Sequence, residues 1–206
     1  MKRCVIVGGA NIKDYKRIQG QMKDDDFFVF CDSGLRHLEP LGVTPSLIVG
    51  DFDSHVRPDT KAETIVLPCE KDDTDTVFAV KEAMRRGFSD FLIIGAVGER
   101  LDHTLGNVSV LLMLDAGGKN GKIVDDYSEM EIISSNPVFI DDSFGYFSLI
   151  TLSEKAEGVT IENAKYPLSD AVITYEYQYG VSNEVLPGKM AMVSVKKGKV
   201  LLIKVF

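Results

Sequence analysis

The chain has 206 residues, 45% of them hydrophobic, which is enough for one large domain or two small ones with real cores. Acidic residues outnumber basic ones 31 to 23, for a formal charge of -8, and this argues against a broad electrostatic footprint for nucleic acid or an anionic membrane. No apolar run approaches the roughly 18 residues of a membrane span, and MKRCVIVGG is too short and too soon ended by glycine for a signal peptide. Cys4, Cys31 and Cys69 are widely spaced and suggest neither a disulfide framework nor a zinc site, so a cytoplasmic protein with buried free thiols is expected.

From the N-terminus, short apolar runs alternate with helical patterns, the grammar of a mostly parallel sheet covered by helices. RCVIVGG, FFVFCDS, SLIVGDF, ETIVLP, DFLIIGAVG and GKIVDD read as its strands. TDTVFAVKEAMRRG reads as a helix with Val77, Val80, Ala83 and Met84 on one face, an N-cap within Asp72 to Thr74 and a stop at Gly87. HTLGNVSVLLMLDAGG reads as a second, with Leu105, Val108, Leu111 and Leu112 turned to the sheet and Gly117 and Gly118 at its end. From about residue 126 the pattern becomes strand after strand: EMEIISS, PVFID, GYFSLITL, GVTIENA, AVITYEY, MAMVSV and VLLIKVF, with KKGK as a hairpin turn between the last two. The expected architecture is an α/β domain over residues 1–125 followed by an all-β sandwich over residues 126–206. No internal repeat or low-complexity linker separates them, so close packing is expected.

In an open parallel sheet, ligands bind outside the carboxyl ends of the strands. Gly8, Gly9 and Asn11 follow the first strand, Asp32 and Ser33 the second, and Asp51, Asp53 and Ser54 the third. Lys71 to Asp75, with Asp72 and Thr74 among them, come after the fourth, and GAVGERLDHTLGN after the fifth. Each has an ordinary structural explanation. Asp32 and Ser33 could cap a helix, GGAN could be a plain tight turn, KDDTD could be a dipole-satisfying first turn, and Arg100 could be a solvated surface residue. Those explanations leave the sum unaccounted for, because Asp32, Asp51, Asp53, Asp72, Asp75 and Asp102 would crowd one rim, and clustered carboxylates need a cation or protons. Oxygen-only ligands favour a hard cation, magnesium above calcium where phosphates are to be bridged. Lys71, Arg100 and His103 then suit a polyphosphate, and the residues alone point to a magnesium nucleotide site for phosphoryl-type chemistry.

Four motifs in this order, CDSGLRHL, PSLIVGDFDS, EKDDTDTVFA and GAVGERLDHTLGN, with GVSNE later, resemble those of thiamine pyrophosphokinases over nearly the whole chain. The resemblance implies transfer of a pyrophosphoryl group from ATP to the hydroxyethyl oxygen of thiamine, with an ATP-binding catalytic domain, a thiamine-binding sandwich and a homodimer whose sites lie at the subunit interface. A phosphohydrolase, a γ-phosphate kinase and a non-catalytic regulator are the rival readings of the same motifs. By match to the family's motifs, Asp51 and Asp53 bind magnesium with Asp72, and Asp75 completes a catalytic acidic cluster. Asp32, Ser33, Ser54, Lys71, Thr74, Arg100, Asp102, His103 and Asn107 are expected to hold ATP, and Asp75, Ser182 and Asn183 to contact thiamine. Some relatives place a tryptophan against thiamine, whereas this chain has none. Tyr175, Tyr177 and Tyr179 are expected to alternate along one strand face and offer a substitute.

Overall fold

A computed structural model describes residues 2–52, 61–68, 70 and 72–206. The chain divides into two compact units, Met1–Asp126 and Tyr127–Phe206.

In the first unit the apolar runs become six parallel strands: β1 (Cys4–Val7), β2 (Phe27–Cys31), β3 (Leu47–Gly50), β4 (Glu63–Val66), β5 (Asp90–Ile94) and β6 (Asn120–Val124). Their order is β4-β3-β2-β1-β5-β6. Register is set by Cys4 opposite both Phe27 and Phe91, Val29 opposite Leu47, and Asp90 opposite Asn120. Every residue of β1 and β3 is buried, as a central parallel strand covered on both faces requires. Cys4 and Cys31 are free thiols within that core.

The covering helices are α1 (Tyr15–Gly20), α2 (Leu38–Leu41), α3 (Asp75–Arg85) and α4 (Leu101–Ala116), with a 3-10 helix over Asp32–His37 running directly into α2. Thr74 caps α3 by accepting from the Val77 N–H at 3.3 Å, and Ala79, Val80 and Ala83 are its buried stripe. The helix stops at Gly87, whose φ of +91° is open to glycine at little cost. α4 buries Asn107, Val110, Leu111 and Leu114, while Leu105 is exposed. Its sheet-facing side is therefore rotated from the expected Leu105, Val108, Leu111 and Leu112. The helix is apolar on nearly all sides, so periodicity alone does not orient it.

In the second unit, β7 (Ser128–Ile133), β9 (Tyr146–Thr151) and β13 (Val200–Val205) pair antiparallel in the order β7-β13-β9. A four-stranded antiparallel sheet has the order β11-β10-β12-β8, from β8 (Val138–Asp141), β10 (Lys155–Glu162), β11 (Leu168–Thr174) and β12 (Met190–Ser194). Ile133, Phe147, Leu149, Val200 and Leu202 from the first set join Ile140, Val159, Ile161, Ile173 and Val193 from the second in one hydrophobic cluster.

Two expectations are corrected here. β12 and β13 belong to different sheets, so KKGK carries the chain between sheets and is not a hairpin; its Lys197 N–H donates to Glu157 O instead. β11 ends at Thr174, so Tyr175, Tyr177 and Tyr179 lie beyond it and share no strand face. No helix among the described residues is long and apolar enough to cross a membrane.

Candidate active site

The strand order reverses at β1, with β2 on one side and β5 on the other, and loops leaving such a point diverge to form a crevice. Gly8 N donates to Ile94 O at 2.8 Å and Ala10 N to Gly95 O at 2.9 Å, pinning the loop after β1 to the loop after β5. A methyl group on Gly8 would stand 2.5 Å from Gly95 O, and one on Gly95 would stand 2.4 Å from Gly8 O, so only glycine permits this backbone contact.

A cleft of about 400 Å³ opens above these loops, within the range of small-molecule sites. One wall is Gly8 to Asn11, and a second is Ser33 and Arg36 from the 3-10 helix. Thr74, Asp75 and Thr76 bring in the start of α3, and Arg100, His103, Thr104 and Asn107 the start of α4. Two helix N-termini therefore open on one space, and their partial positive charge and first-turn N–H groups favour an anion there.

The side chains refine this picture. Arg36 Nε donates to Ser33 O at 3.0 Å, which holds its guanidinium at the cleft wall. Arg100 forms a two-pronged pair with Asp102, at 2.9 and 2.6 Å, with both side chains exposed. That hydrogen-bonded pairing holds the Asp102 carboxyl well below the usual carboxylate range and raises the Arg100 guanidinium. Asn107 is buried and donates to Ala96 O at 2.7 Å, anchoring α4 to the loop after β5. The Cys31 thiol, also in the lining, is pushed up to about 12 by burial, with Asp75 and Asp32 adding to the shift. Buried in this way, it serves packing.

Of the residues singled out in the sequence, Ser33, Thr74, Asp75, Arg100, His103 and Asn107 meet in this cleft. Asp32 is buried beside Cys31 and against Gly50, where a methyl group would stand 2.6 Å from its Cβ; this places it next to the residue preceding Asp51. Asp51 is half-buried at the end of β3, Asp72 is exposed ahead of α3, and Asp102 faces Arg100; none of the three is in the lining. Asp53, Ser54 and Lys71 lie outside the described residues. Among the described residues no group of three acidic, histidine or cysteine side chains could hold a metal ion.

In the second unit, Ser182 is exposed with φ +58°, and its N–H donates to Ser148 Oγ at 3.0 Å. Asn183 is buried, and its amide is committed to its own surroundings. Oδ1 accepts from Tyr166 N at 3.0 Å and Glu184 N at 2.9 Å, and Nδ2 donates to Tyr166 O at 2.8 Å. Tyr166 is an exposed aromatic held beside this turn by its backbone, with Lys165 Nζ 5.6 Å from its ring centroid.

Sequence reasoning passed over Arg36 and Tyr166. Arg36 stands three residues after Ser33, a spacing that stacks side chains in a 3-10 helix, and a lone arginine in so short a segment carries no periodic signal of its own. Tyr166 is joined to Asn183 only by hydrogen bonds across 17 residues, which no local pattern records.

Fold and cleft together define a parallel α/β protein with an anion-receptive cleft, joined to an antiparallel β unit. The family model for "Thiamin pyrophosphokinase, catalytic domain" matches residues 18–123, and that for "Thiamin pyrophosphokinase, vitamin B1 binding domain" matches residues 132–200. The chain is similar to the thiamine pyrophosphokinase of Bacillus subtilis strain 168, at 26% identity with 99% of each chain covered. It also resembles the crystal structures of thiamine pyrophosphokinase from Bacillus subtilis, at TM-score 0.86, 26% identity and 99% coverage of each chain. The structure from Geobacillus thermodenitrificans is similar at TM-score 0.84 and 27% identity, covering 99% of this chain and 97% of that one. The chain belongs to the thiamin pyrophosphokinase family.

Proposed function

We propose that this protein transfers the pyrophosphoryl group of ATP to the hydroxyethyl oxygen of thiamine, giving thiamine diphosphate and AMP. The observation that carries the reading is the meeting of two helix N-termini, a glycine-lined loop and two arginines at one cleft where the strand order reverses. The first unit is then the ATP-binding catalytic domain, and the second a β-sandwich that binds thiamine.

In this reaction an oxygen–phosphorus bond forms at the β-phosphorus, and the bond from that phosphorus to the bridging oxygen of AMP breaks. The protein's work is placement and charge compensation. The loop Gly8 to Asn11 and the first turns of α3 and α4 receive the phosphate oxygens, Arg36 supplies positive charge at one wall, and Arg100 brings to the other a charge that Asp102 compensates. Asp75 lines the cleft and Asp72 does not, so Asp75 is assigned the proton leaving the thiamine hydroxyl. Tyr166 and Ser182 present the vitamin-binding turn, with Asn183 holding Tyr166 in place.

Magnesium fits the donor set in kind, because the acidic residues offer oxygen ligands only, and this ion needs just one or two carboxylates when phosphates and waters complete its shell. Asp51 and Asp72, with Asp53 by its sequence motif, are assigned to hold it. Held by those residues, a magnesium ion would supply neutralisation of phosphate-oxygen charge. A homodimer with sites shared between subunits, on the strength of the sequence resemblance, and a cytoplasmic location, from the cysteine usage, complete the proposal.

The test is Asp75→Asn. Turnover should fall by about 100-fold or more, with ATP-analogue affinity by calorimetry and the melting temperature little changed. Wild-type turnover in this variant would contradict the assignment.

A further inference from the structure

His37 closes the 3-10 helix and is 1% exposed, and both of its ring nitrogens are engaged. Nε2 lies 2.9 Å from Ala10 O, and Nδ1 lies 2.7 Å from the Tyr15 hydroxyl. A carbonyl oxygen can only accept, so Nε2 carries the hydrogen, and the neutral ring accepts from Tyr15 O–H at Nδ1. Burial lowers the pKa of this imidazole; the Ala10 bond opposes that and the Arg36 charge adds to it, so the ring stays neutral further into acid than an ordinary histidine.

The three groups come from three segments. Ala10 belongs to the loop after β1, His37 to the 3-10 helix, and Tyr15 to the first turn of α1. Ala10 lines one wall of the cleft, while Arg36, the chain neighbour of His37, lines the other together with Ser33. The two walls touch closely: a methyl group on Gly9 would stand 1.9 Å from Ser33 Oγ. The remaining supports of the loop lead elsewhere, with Ala10 N bound to Gly95 O and the Lys13 and Asp14 N–H groups bound to the Asp126 carboxylate. Among the described residues the imidazole makes a side-chain hydrogen bond from the Arg36 wall to the Ala10 wall, yet it does not itself line the cleft.

We propose that His37, buttressed by Tyr15, is a positioning residue for the nucleotide: it ties the Gly8 to Asn11 loop to the 3-10 helix and so fixes where Ser33 and Arg36 stand when the triphosphate enters. This rests on the reading of the cleft as the ATP site. The effect belongs to ATP, since thiamine is assigned to other residues, and its size is that of a neutral hydrogen bond or two.

Three variants separate the brace from general stability. His37→Leu removes both bonds at similar bulk, His37→Gln keeps an N–H for Ala10 O and an oxygen for Tyr15 O–H, and Tyr15→Phe removes one bond only. With steady-state kinetics on the full-length enzyme, His37→Leu should raise the KM for ATP about 3- to 10-fold. The KM for thiamine should stay within about 2-fold, His37→Gln should recover most of the loss, and Tyr15→Phe should show a smaller rise of the same kind. A folded His37→Leu protein with unchanged KM for ATP, or with both KM values raised alike, overturns the proposal. If His37→Leu does not fold, Tyr15→Phe decides, and an unchanged KM for ATP there also overturns it. The cleft reading is tested separately on the wild type, by hydrogen exchange with magnesium and a non-hydrolysable ATP analogue. Protection of residues 8–11 and 33–37 supports the site, and its absence defeats the site reading itself. Protection together with silent variants defeats only the brace.

Discussion

Asn183 spends its side-chain amide on the turn that carries Tyr166. Its amide serves the Tyr166 N–H and carbonyl and the Glu184 N–H, so Asn183→Ala removes three part-buried hydrogen bonds, which should cost about 1 kcal/mol or somewhat more and, on the proposed assignment of this turn to thiamine, raise the thiamine KM through Tyr166. Ser182 behaves differently, because its backbone makes the bond to Ser148 and its hydroxyl belongs to an exposed residue. Ser182→Ala should leave the melting temperature unchanged and raise the thiamine KM alone; thermal melts run beside kinetics distinguish the two. The motif GVSNE pointed to both positions, but chain order does not say which side chain turns inward. At His37 the folded pKa lies below its ordinary value of 6.5, so above that value the unfolded and folded chains bind the same number of protons there. As pH falls through 6.5 the unfolded chain protonates first, and stability drops until the folded pKa is passed. Denaturant melts between pH 7 and pH 5 should show this slope, and His37→Gln should flatten it; an equal slope in both proteins would exclude His37 as its source.

At the scale of elements, strands were the most legible feature. Their apolar runs are short, bounded by glycine, proline and acidic residues, and buried on both faces in β1 and β3, which is why they stand out whatever the partner strand. α4 was found but not oriented, because its apolar residues surround the axis and burial of Asn107 against Ala96 O, a polar contact, marks the inward side. VLLIKVF hid a second polar feature. Lys204 sits opposite Glu129 in the β7–β13 register, with Nζ 2.9 Å from Glu129 and 3.0 Å from Glu131, and all three turn to the same side of the sheet as Leu202. Burial alone would lower the Lys204 pKa, but the two glutamates outweigh it and raise the value. Lys204→Ala would leave two carboxylates confined together without their cation and should destabilise the protein by about 3–5 kcal/mol by chemical denaturation. Thr74→Ala tests a lesser contribution: loss of the α3 cap bond to Val77 N should cost about 1 kcal/mol in the same assay.

At the scale of the molecule, the change of pattern near residue 126 reflects a physical difference between two kinds of core. A parallel sheet needs helices over both faces, whereas antiparallel strands alternate inward and outward residues and can close a core between themselves, as Phe147 and Leu149 do with Val193 and Ile161. That Ser33, Thr74, Asp75, Arg100, His103 and Asn107 meet at one cleft was legible because loops at the carboxyl ends of neighbouring parallel strands are brought together by the topology alone. Which acids face the cleft was not, since Asp75 and Asp102 both open helices, yet one lines the cleft and the other turns to Arg100. The most direct measurement is the product ratio when the purified protein is incubated with ATP, magnesium and thiamine and the nucleotides are separated by chromatography. AMP should appear in equal amount with thiamine diphosphate. ADP with thiamine monophosphate, or inorganic phosphate without a phosphorylated vitamin, would contradict the account.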